Sequence, residues 1–204
     1  MIVTPLLLIG GGGHCRSCID VIEAQNEYEI AGIIVSNTSG LELVQGYPVL
    51  GVNEDLENII PQTPNSLITV GQIKTPDIRI HLYKELKKLK AKLPTIIAPT
   101  AYCSKYALVG SGTILMHGAL VNASAKIGEN CIINSQALIE HDVHIESHCH
   151  ISTGVRINGG VHIGMGSFIG SGAIIREGVH IGSRVVIGAG QVILRNVSEG
   201  KVVK

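Results

Sequence analysis

The sequence predicts two parts, a small α/β domain over residues 1–93 and an all-β parallel β-helix over residues 94–204. In the second part, every sixth residue from Ile97 to Ile193 is aliphatic apart from Cys103, and a second series four residues later consists mostly of small side chains. This period matches neither a helix nor a strand, and it is typical of hexapeptide solenoids. In the first part, apolar runs alternate with helical patterns, which indicates a small parallel sheet.

The α/β part is predicted to contain three strands and three helices. Thr75 is suited to cap the last helix, because Pro76 then occupies the first helical position. The predicted strands are Val3–Ile9, Glu29–Ser36 and Leu67–Gly71, and the predicted helices are His14–Gln25, Asn53–Ile60 and Thr75–Lys92.

A glycine tract, Gly10–Gly13, joins the first strand to the first helix, which opens at His14. Free backbone N–H groups and the helix dipole favour an anion at such a position. The tract is a poor dinucleotide fingerprint, because its third glycine would fall on Cys15, and Ser36 and Asn37 replace the acid expected after the second strand. The pyrophosphate of a nucleotide sugar fits better than NAD. The alternative is that the glycines only allow the strand and the helix to pack closely.

Each hexad of the second part is predicted to form a short strand and a turn, so that three hexads complete one coil. The aliphatic series then points inward, and the small series occupies the tight corners. Successive coils stack through backbone hydrogen bonds at about 4.8 Å, the spacing between neighbouring strands. Stability therefore comes mainly from contacts between neighbouring coils.

Composition narrows the classes of partner and compartment. Sixteen basic residues balance sixteen acidic ones, so the charge favours neither a nucleic acid nor a membrane surface. No apolar run reaches the length of a membrane span, and Met1–Ile9 lacks the basic start and cleavage site of a signal peptide.

Cys15 and Cys18 have the C-x-x-C spacing, but we interpret them as small residues on the first helical turn, because no second pair completes a zinc site. We expect a cytoplasmic protein.

Three histidines, His144, His162 and His180, lie eighteen residues apart in the chain. They should therefore stack on one face of three successive coils. Such a column can bind adventitious metal, but a purposeful site needs carboxylate, thiolate or supporting partners. We interpret it as a solvent-facing or subunit-facing stripe and predict no metal.

His141 occupies a different position in its hexad. One coil above it lies Gly159 and one coil below lies Ala123, so its neighbours have almost no side chains. A substrate can fit beside the ring, and either Glu140 or Asp142 can orient it. These residues are compatible with a general base, but from the residues alone an ordinary surface histidine is the stronger interpretation.

Several segments together resemble one family, the bacterial sugar acetyltransferases with an N-terminal Rossmann-like domain and a C-terminal hexapeptide domain. That family includes N-acetyltransferases of UDP-linked 4-amino sugars and of perosamine-type sugars, as well as sialic acid O-acetyltransferases. The matching segments are Leu6–His14, Gly46–Gly51, Val70–Gly71, Asn134–Asp142, His150–Ser152 and Gly159–Gly164.

The resemblance implies a left-handed β-helix and a role for each matching residue. His141 matches the general base, and Asp142 matches the carboxylate that polarises it. Gly159 matches the glycine whose N–H meets the thioester carbonyl. Asn134 matches a residue near the acceptor, and His150 matches a second histidine on the acetyl-CoA side.

In the N-terminal half, the resemblance implies that Gly12, Gly13 and His14 hold the nucleotide or the sugar. It also implies a homotrimer that uses acetyl-CoA as co-substrate. We therefore expect an acetyltransferase that acts on the 4-amino group of a nucleotide-activated amino sugar in surface glycan biosynthesis. One alternative is a sialic acid O-acetyltransferase, and a more distant one is a non-catalytic or zinc-binding hexapeptide protein.

Overall fold

The computed structural model describes residues 4–37 and 40–204. The chain divides into two compact units, Met1–Gly71 with Ile78–Pro94, and Gln72–Asp77 with Thr95–Lys204. The short segment Gln72–Asp77 thus belongs with the hexapeptide region. The predicted domain boundary between residues 93 and 94 stays a prediction.

Among its described residues, the first unit contains a five-stranded sheet and three helices. The elements are β1 (Thr4–Ile9), α1 (Gly13–Gln25), β2 (Tyr28–Val35), β3 (Leu43–Val44), β4 (Tyr47–Val52), a 3₁₀ turn (Asn53–Asp55), α2 (Leu56–Ile59), β5 (Ser66–Ile68) and α3 (Asp77–Lys88). The strand order is β3-β4-β2-β1-β5, and every pairing is parallel except that of β3 with β4. The predicted parallel sheet is therefore confirmed.

The largest differences from the sequence prediction in this unit are an additional hairpin and the length of the last helix. The hairpin of β3 and β4 was not predicted; its turn, Gln45 and Gly46, has positive φ at both residues, as a two-residue hairpin requires. Helix α3 is shorter than predicted at both ends: it begins at Asp77 rather than at Pro76, and it ends at Lys88 because Lys90 adopts a left-handed φ of 59° just beyond. Val3, included in the predicted first strand, lies outside the described residues.

The central strand of the sheet is a continuous apolar run because both of its faces are buried. The side chains from Leu6 to Ile9 on β1 are fully buried, as expected for a central parallel strand covered on both faces. Helix α1 covers the sheet with a buried stripe that includes Cys15, Cys18 and Ile22. Within residues 4–37 and 40–204, none of the helices has the length and apolar character needed to cross a bilayer.

The second unit is a parallel β-helix of three sheets. Sheet I contains Ile96–Ile97, Ile114–Leu115, Ile132–Ile133, His150–Ile151, Phe168–Ile169, Val186–Ile187 and Val202–Val203. Sheet II contains Tyr102–Cys103, Leu120–Val121, Leu138–Ile139, Arg156–Ile157, Ile174–Ile175 and Val192–Ile193. Sheet III contains Leu108–Val109, Lys126–Ile127, His144–Ile145, His162–Ile163 and His180–Ile181.

The register of the coils agrees with the period of the sequence. Ile139, for example, pairs with Val121 below and Ile157 above, each eighteen residues away. The aliphatic and small series together form one buried cluster along the axis, as predicted. Beyond Ile193 the last coil is two residues shorter, because Val203 pairs with Ile187.

Candidate active site

His141 and Asp142 lie at the corner that joins sheet II to sheet III. The Nδ1 atom of His141 is 2.9 Å from Oδ2 of Asp142, and both side chains are 66% exposed. Asp142 has a left-handed φ of 60°, a conformation that aspartate adopts more readily than most residues. The carboxylate therefore accepts the Nδ1–H of the ring, so that Nε2 remains the basic nitrogen.

The His141 ring lies directly over Gly159 of the next coil. A Cβ atom placed on Gly159 would be 2.7 Å from Cε1 and 2.8 Å from Nε2 of the ring. Between Lys105 and Arg195, Gly159 is the only glycine two residues after an inward aliphatic position. The predicted proximity of His141 and Gly159 is confirmed. The ring of His141 occupies space that a side chain at position 159 would fill.

The structure distinguishes the two carboxylates beside His141. Oε2 of Glu140 accepts a hydrogen bond of 2.8 Å from Nδ2 of Asn122 in the coil below. Asp142 is the one that contacts the imidazole. The sequence left both open, and in the structure the contact with His141 is made by Asp142.

Asn134 and His150 form a second group, at the corner between sheet I and sheet II. Nδ2 of Asn134 is 3.2 Å from Nε2 of His150, and Nδ1 of His150 is 2.6 Å from the backbone oxygen of Gln72. His150 is only 7% exposed. It also packs edge-on against Phe168, with 5.2 Å between the ring centroids. The predicted contact of His150 with acetyl-CoA stays a prediction.

The pair His141–Asp142 and the pair Asn134–His150 are not in contact within one chain. Asn134 precedes the strand Leu138–Ile139 of sheet II, and His141 follows it, so they lie at consecutive corners of one coil. Sequence analysis did not identify Gln72. Nothing in its local sequence marks it, because its partners are far away in the chain.

The glycine tract lies between β1 and α1. Gly10 has a φ of 115°, and a Cβ there would be 2.5 Å from Cγ2 of Val70, so this glycine serves backbone packing. Gly12 is the N-cap residue of α1 and has no side chain to cap the N–H groups of the first turn. A Cβ on Gly12 or Gly13 would meet no atom within 4 Å. The first turn of α1 thus has open space for an anion. His14 is half-buried, with Nε2 3.5 Å from Sγ of Cys18.

The C-x-x-C pair of α1 is a packing feature. Cys15 and Cys18 are fully buried and free of disulfides. Burial raises the pKa of both thiols. A protonated, buried thiol is a poor nucleophile, which agrees with the structural interpretation of this motif.

The predicted histidine column is present on sheet III. The rings of His162 and His180 stack with centroids 4.5 Å apart, and His144 meets His162 edge-on at 5.0 Å. Nε2 of His162 is 3.2 Å from Oε1 of Glu146, a partner that sequence analysis missed. Burial, followed by the charge of His180, lowers the pKa of His162. Across the described ranges, no three His, Cys, Asp or Glu side chains are arranged to hold a metal ion.

Sheet II carries an apolar column on its outer surface, interrupted by Arg156. Three of its members are conspicuously exposed: Tyr102 at 58%, Ile174 at 37% and Val192 at 57%. Leu120 and Leu138 are half-buried between them. This column was not predicted, although its members recur every eighteen residues in the sequence.

Comparison with known proteins identifies relatives of both units. Residues 5–86 match the PglD N-terminal domain, and residues 124–159 and 160–195 match the bacterial transferase hexapeptide family. The comparison with curated proteins finds no match.

Several solved structures are similar over nearly the whole chain. The acetyltransferase domain of PglB from Neisseria gonorrhoeae FA1090, in complex with acetyl coenzyme A, is 31% identical, with 98% of this chain and 95% of that chain covered and a TM-score of 0.90. PerB from Caulobacter crescentus, in complex with CoA and GDP-perosamine, is 30% identical, with 99% and 94% covered and a TM-score of 0.91. WeeI from Acinetobacter baumannii AYE, at 22% identity, 99% and 97% coverage and a TM-score of 0.85, shares the fold. The predicted fold class is confirmed.

Proposed function

This chain belongs to the hexapeptide-repeat sugar acetyltransferases with a PglD-type N-terminal domain, and we propose that it acetylates the 4-amino group of a nucleotide-linked sugar. The donor is acetyl-CoA. The observation that carries the proposal is the His141–Asp142 pair over Gly159. Support comes from the similarity to PerB, which was solved with CoA and GDP-perosamine.

In the proposed reaction, the amine nitrogen attacks the thioester carbon, forming a C–N bond. Nε2 of His141 takes the proton that the amine loses. The backbone N–H of Gly159 stabilises the oxyanion of the tetrahedral intermediate. The C–S bond then breaks, and the imidazolium returns the proton to the departing sulfur, so that the products are an amide and free coenzyme A.

We assign Gly12, Gly13 and His14 to the acceptor. The open first turn of α1 suits the diphosphate of a nucleotide sugar, since backbone N–H groups and the helix dipole both favour negative charge there. Asn134 is proposed to contact the acceptor at the β-helix. The reducing cytoplasm is the proposed compartment, consistent with five free cysteines.

The proposal is tested by measuring thiol release from acetyl-CoA with separate acceptors. These are 4-amino-4,6-dideoxy sugars linked to UDP, dTDP or GDP, and free sialic acid. We expect turnover with at least one nucleotide amino sugar and none with sialic acid. Turnover with sialic acid alone would favour O-acetylation, and failure with all four acceptors would contradict the proposed substrate class.

Replacing Asp142 with asparagine should lower kcat by roughly tenfold or more, because an amide can no longer fix the tautomer and orientation of His141 as a carboxylate does. The matched control is Glu140→Gln, which retains an oxygen that can accept the hydrogen bond from Asn122. Steady-state kinetics of the two variants make the test. Equal losses in both would show that Asp142 has no special part.

We propose that three copies associate through sheet II. Its outer surface exposes a column of apolar side chains, and contact with another copy would remove these side chains from water. In a cyclic assembly, one flank of a subunit meets a different flank of its neighbour. The corners that carry His141 and Asn134 flank sheet II, so a neighbour can supply the Asn134 group that the chain's own coil holds away from His141.

Leu138→Glu should dissociate this assembly, because it places a charge in the middle of the apolar column. Light scattering coupled to size-exclusion chromatography measures the mass. Lys126→Glu on sheet III is the control, and it should stay a trimer. A trimeric Leu138→Glu variant, or a monomeric wild type, would contradict the proposed interface.

A further inference from the structure

We propose that Gln72 is a positioning residue that acts on Asn134 through His150. Resting on the proposed function, this inference explains how the Asn134 amide is aimed at the acceptor. The three residues form a chain of hydrogen bonds whose exposure falls inward: Asn134 is half-buried, His150 is 7% exposed and Gln72 is 3% exposed.

Both ends of this hydrogen-bond chain are backbone groups of fixed polarity. At the outer end, the N–H of Ser135 donates to Oδ1 of Asn134 at 2.8 Å. At the inner end, the backbone oxygen of Gln72 can only accept, so Nδ1 of His150 must carry a proton. With Oδ1 occupied by a donor, Nδ2 of Asn134 is the atom that faces His150, and it donates to an unprotonated Nε2.

The polarity therefore fixes both the tautomer of His150 and the amide orientation of Asn134. A ring protonated at Nε2 would force the Asn134 amide to rotate and lose Ser135. An amide has two N–H donors and two acceptor positions. His150 takes one N–H donor of the Asn134 amide, and Ser135 takes one acceptor position. The remaining N–H and the remaining acceptor position lie in the same amide plane, so their directions are fixed as well. Those are the groups that the acceptor meets.

Gln72 holds the inner end in place through its side chain. Its Nε2 donates to the backbone oxygens of His148, at 3.0 Å, and Gly166, at 3.3 Å. The same segment is anchored further on, where Pro76 lies close above Gly166 and Asp77 forms an ion pair with Arg184 at 2.9 Å. A backbone carbonyl fixed in this way presents one lone pair to His150 at a constant position.

The decisive variant is Gln72→Met, which has a similar shape but no donor. We expect kcat/KM for the acceptor to fall about 10- to 100-fold, because a displacement of about 1 Å is enough to cost this much. Because His150 is also predicted to lie on the acetyl-CoA side, the KM for acetyl-CoA is measured alongside, and it should change by less than kcat/KM for the acceptor. A loss of folded enzyme would instead lower the apparent kcat and leave the KM of the acceptor unchanged.

Thr113→Val is the matched control, since Thr113 is also fully buried in the β-helix and its hydroxyl also makes two hydrogen bonds, with Gly128 and Cys131. It should lose thermal stability without changing the acceptor kcat/KM. Equal kinetic losses in Gln72→Met and Thr113→Val would overturn the positioning role.

A second measurement does not depend on activity. Nitrogen-15 NMR of the imidazole in the wild-type protein should show His150 protonated at Nδ1 and bare at Nε2, and Gln72→Met should lose this single tautomer. Protonation at Nε2 in the wild type would overturn the proposal. A wild type that acetylates no acceptor would overturn the proposed function and the positioning role with it, whereas the tautomer separately tests the hydrogen-bond chain.

Discussion

Replacing His141 with alanine is expected to lower kcat by about 10²–10⁴-fold, the usual contribution of a general base. The amine must lose a proton as it attacks, and Nε2 of His141 is the basic nitrogen that the bond to Asp142 leaves available. Acetyl-CoA should still bind, because the change removes an exposed ring and leaves the coil intact. A turnover assay measures kcat, and isothermal titration calorimetry measures the affinity for acetyl-CoA separately.

The matched control is His117→Ala. His117 occupies the same hexad position in another coil and contacts Thr100, with Nδ1 2.9 Å from Oγ1. Its loss should leave kcat near the wild-type value. If the two variants behave alike, then the imidazole of His141 is a surface group and the proposed mechanism is wrong.

Gly159→Ala is expected to be the second most damaging change. Its Cβ would lie 2.7 Å from Cε1 of His141, well inside the 3.5–4.0 Å at which carbon atoms normally touch. Its φ lies outside the left-handed range that disfavours alanine, so the backbone accepts the residue and the ring has to move. A shift of about 1 Å is enough to lower kcat by about 10²-fold.

A double-mutant cycle tests whether this loss acts through the ring. In a His141→Ala background the new methyl group has no imidazole to displace, so Gly159→Ala should cost much less there than in the wild type. Ala189→Val, at the same hexad position and exposed, is the control for added bulk and should be nearly neutral. Fully additive losses would show that Gly159 affects the reaction independently of His141.

The sequence predicts most of the fold because every hexad buries its aliphatic residue in the same way, against the equivalent residues of the neighbouring coils. An aliphatic residue every six positions leaves one way to bury Ile139 between Val121 and Ile157, and that register also brings Gly159 to His141. The α/β sheet follows in the same way from alternating apolar runs. The missed hairpin depends on two positive φ angles, at Gln45 and Gly46, which only the glycine signals.

Side-chain geometry within the site is less predictable. Glu140 and Asp142 flank His141 equally in the sequence, and the choice between them follows from a left-handed φ at Asp142 and from the Asn122 amide one coil away. Gln72 is harder still, because it reaches His148 from 76 residues away. Such contacts depend on how the chain returns to the β-helix, which local patterns do not encode.

The central claim is acetyl transfer from acetyl-CoA to the amine of a nucleotide-linked sugar, and the product tests it most directly. The wild-type protein would be incubated with acetyl-CoA and the GDP-, UDP- and dTDP-linked 4-amino sugars, and the product examined by mass spectrometry before and after treatment with hydroxylamine. We expect one added acetyl group that resists hydroxylamine, because an amide survives where an ester is cleaved. An acetyl group that hydroxylamine removes, or no acetylated sugar at all, would contradict it.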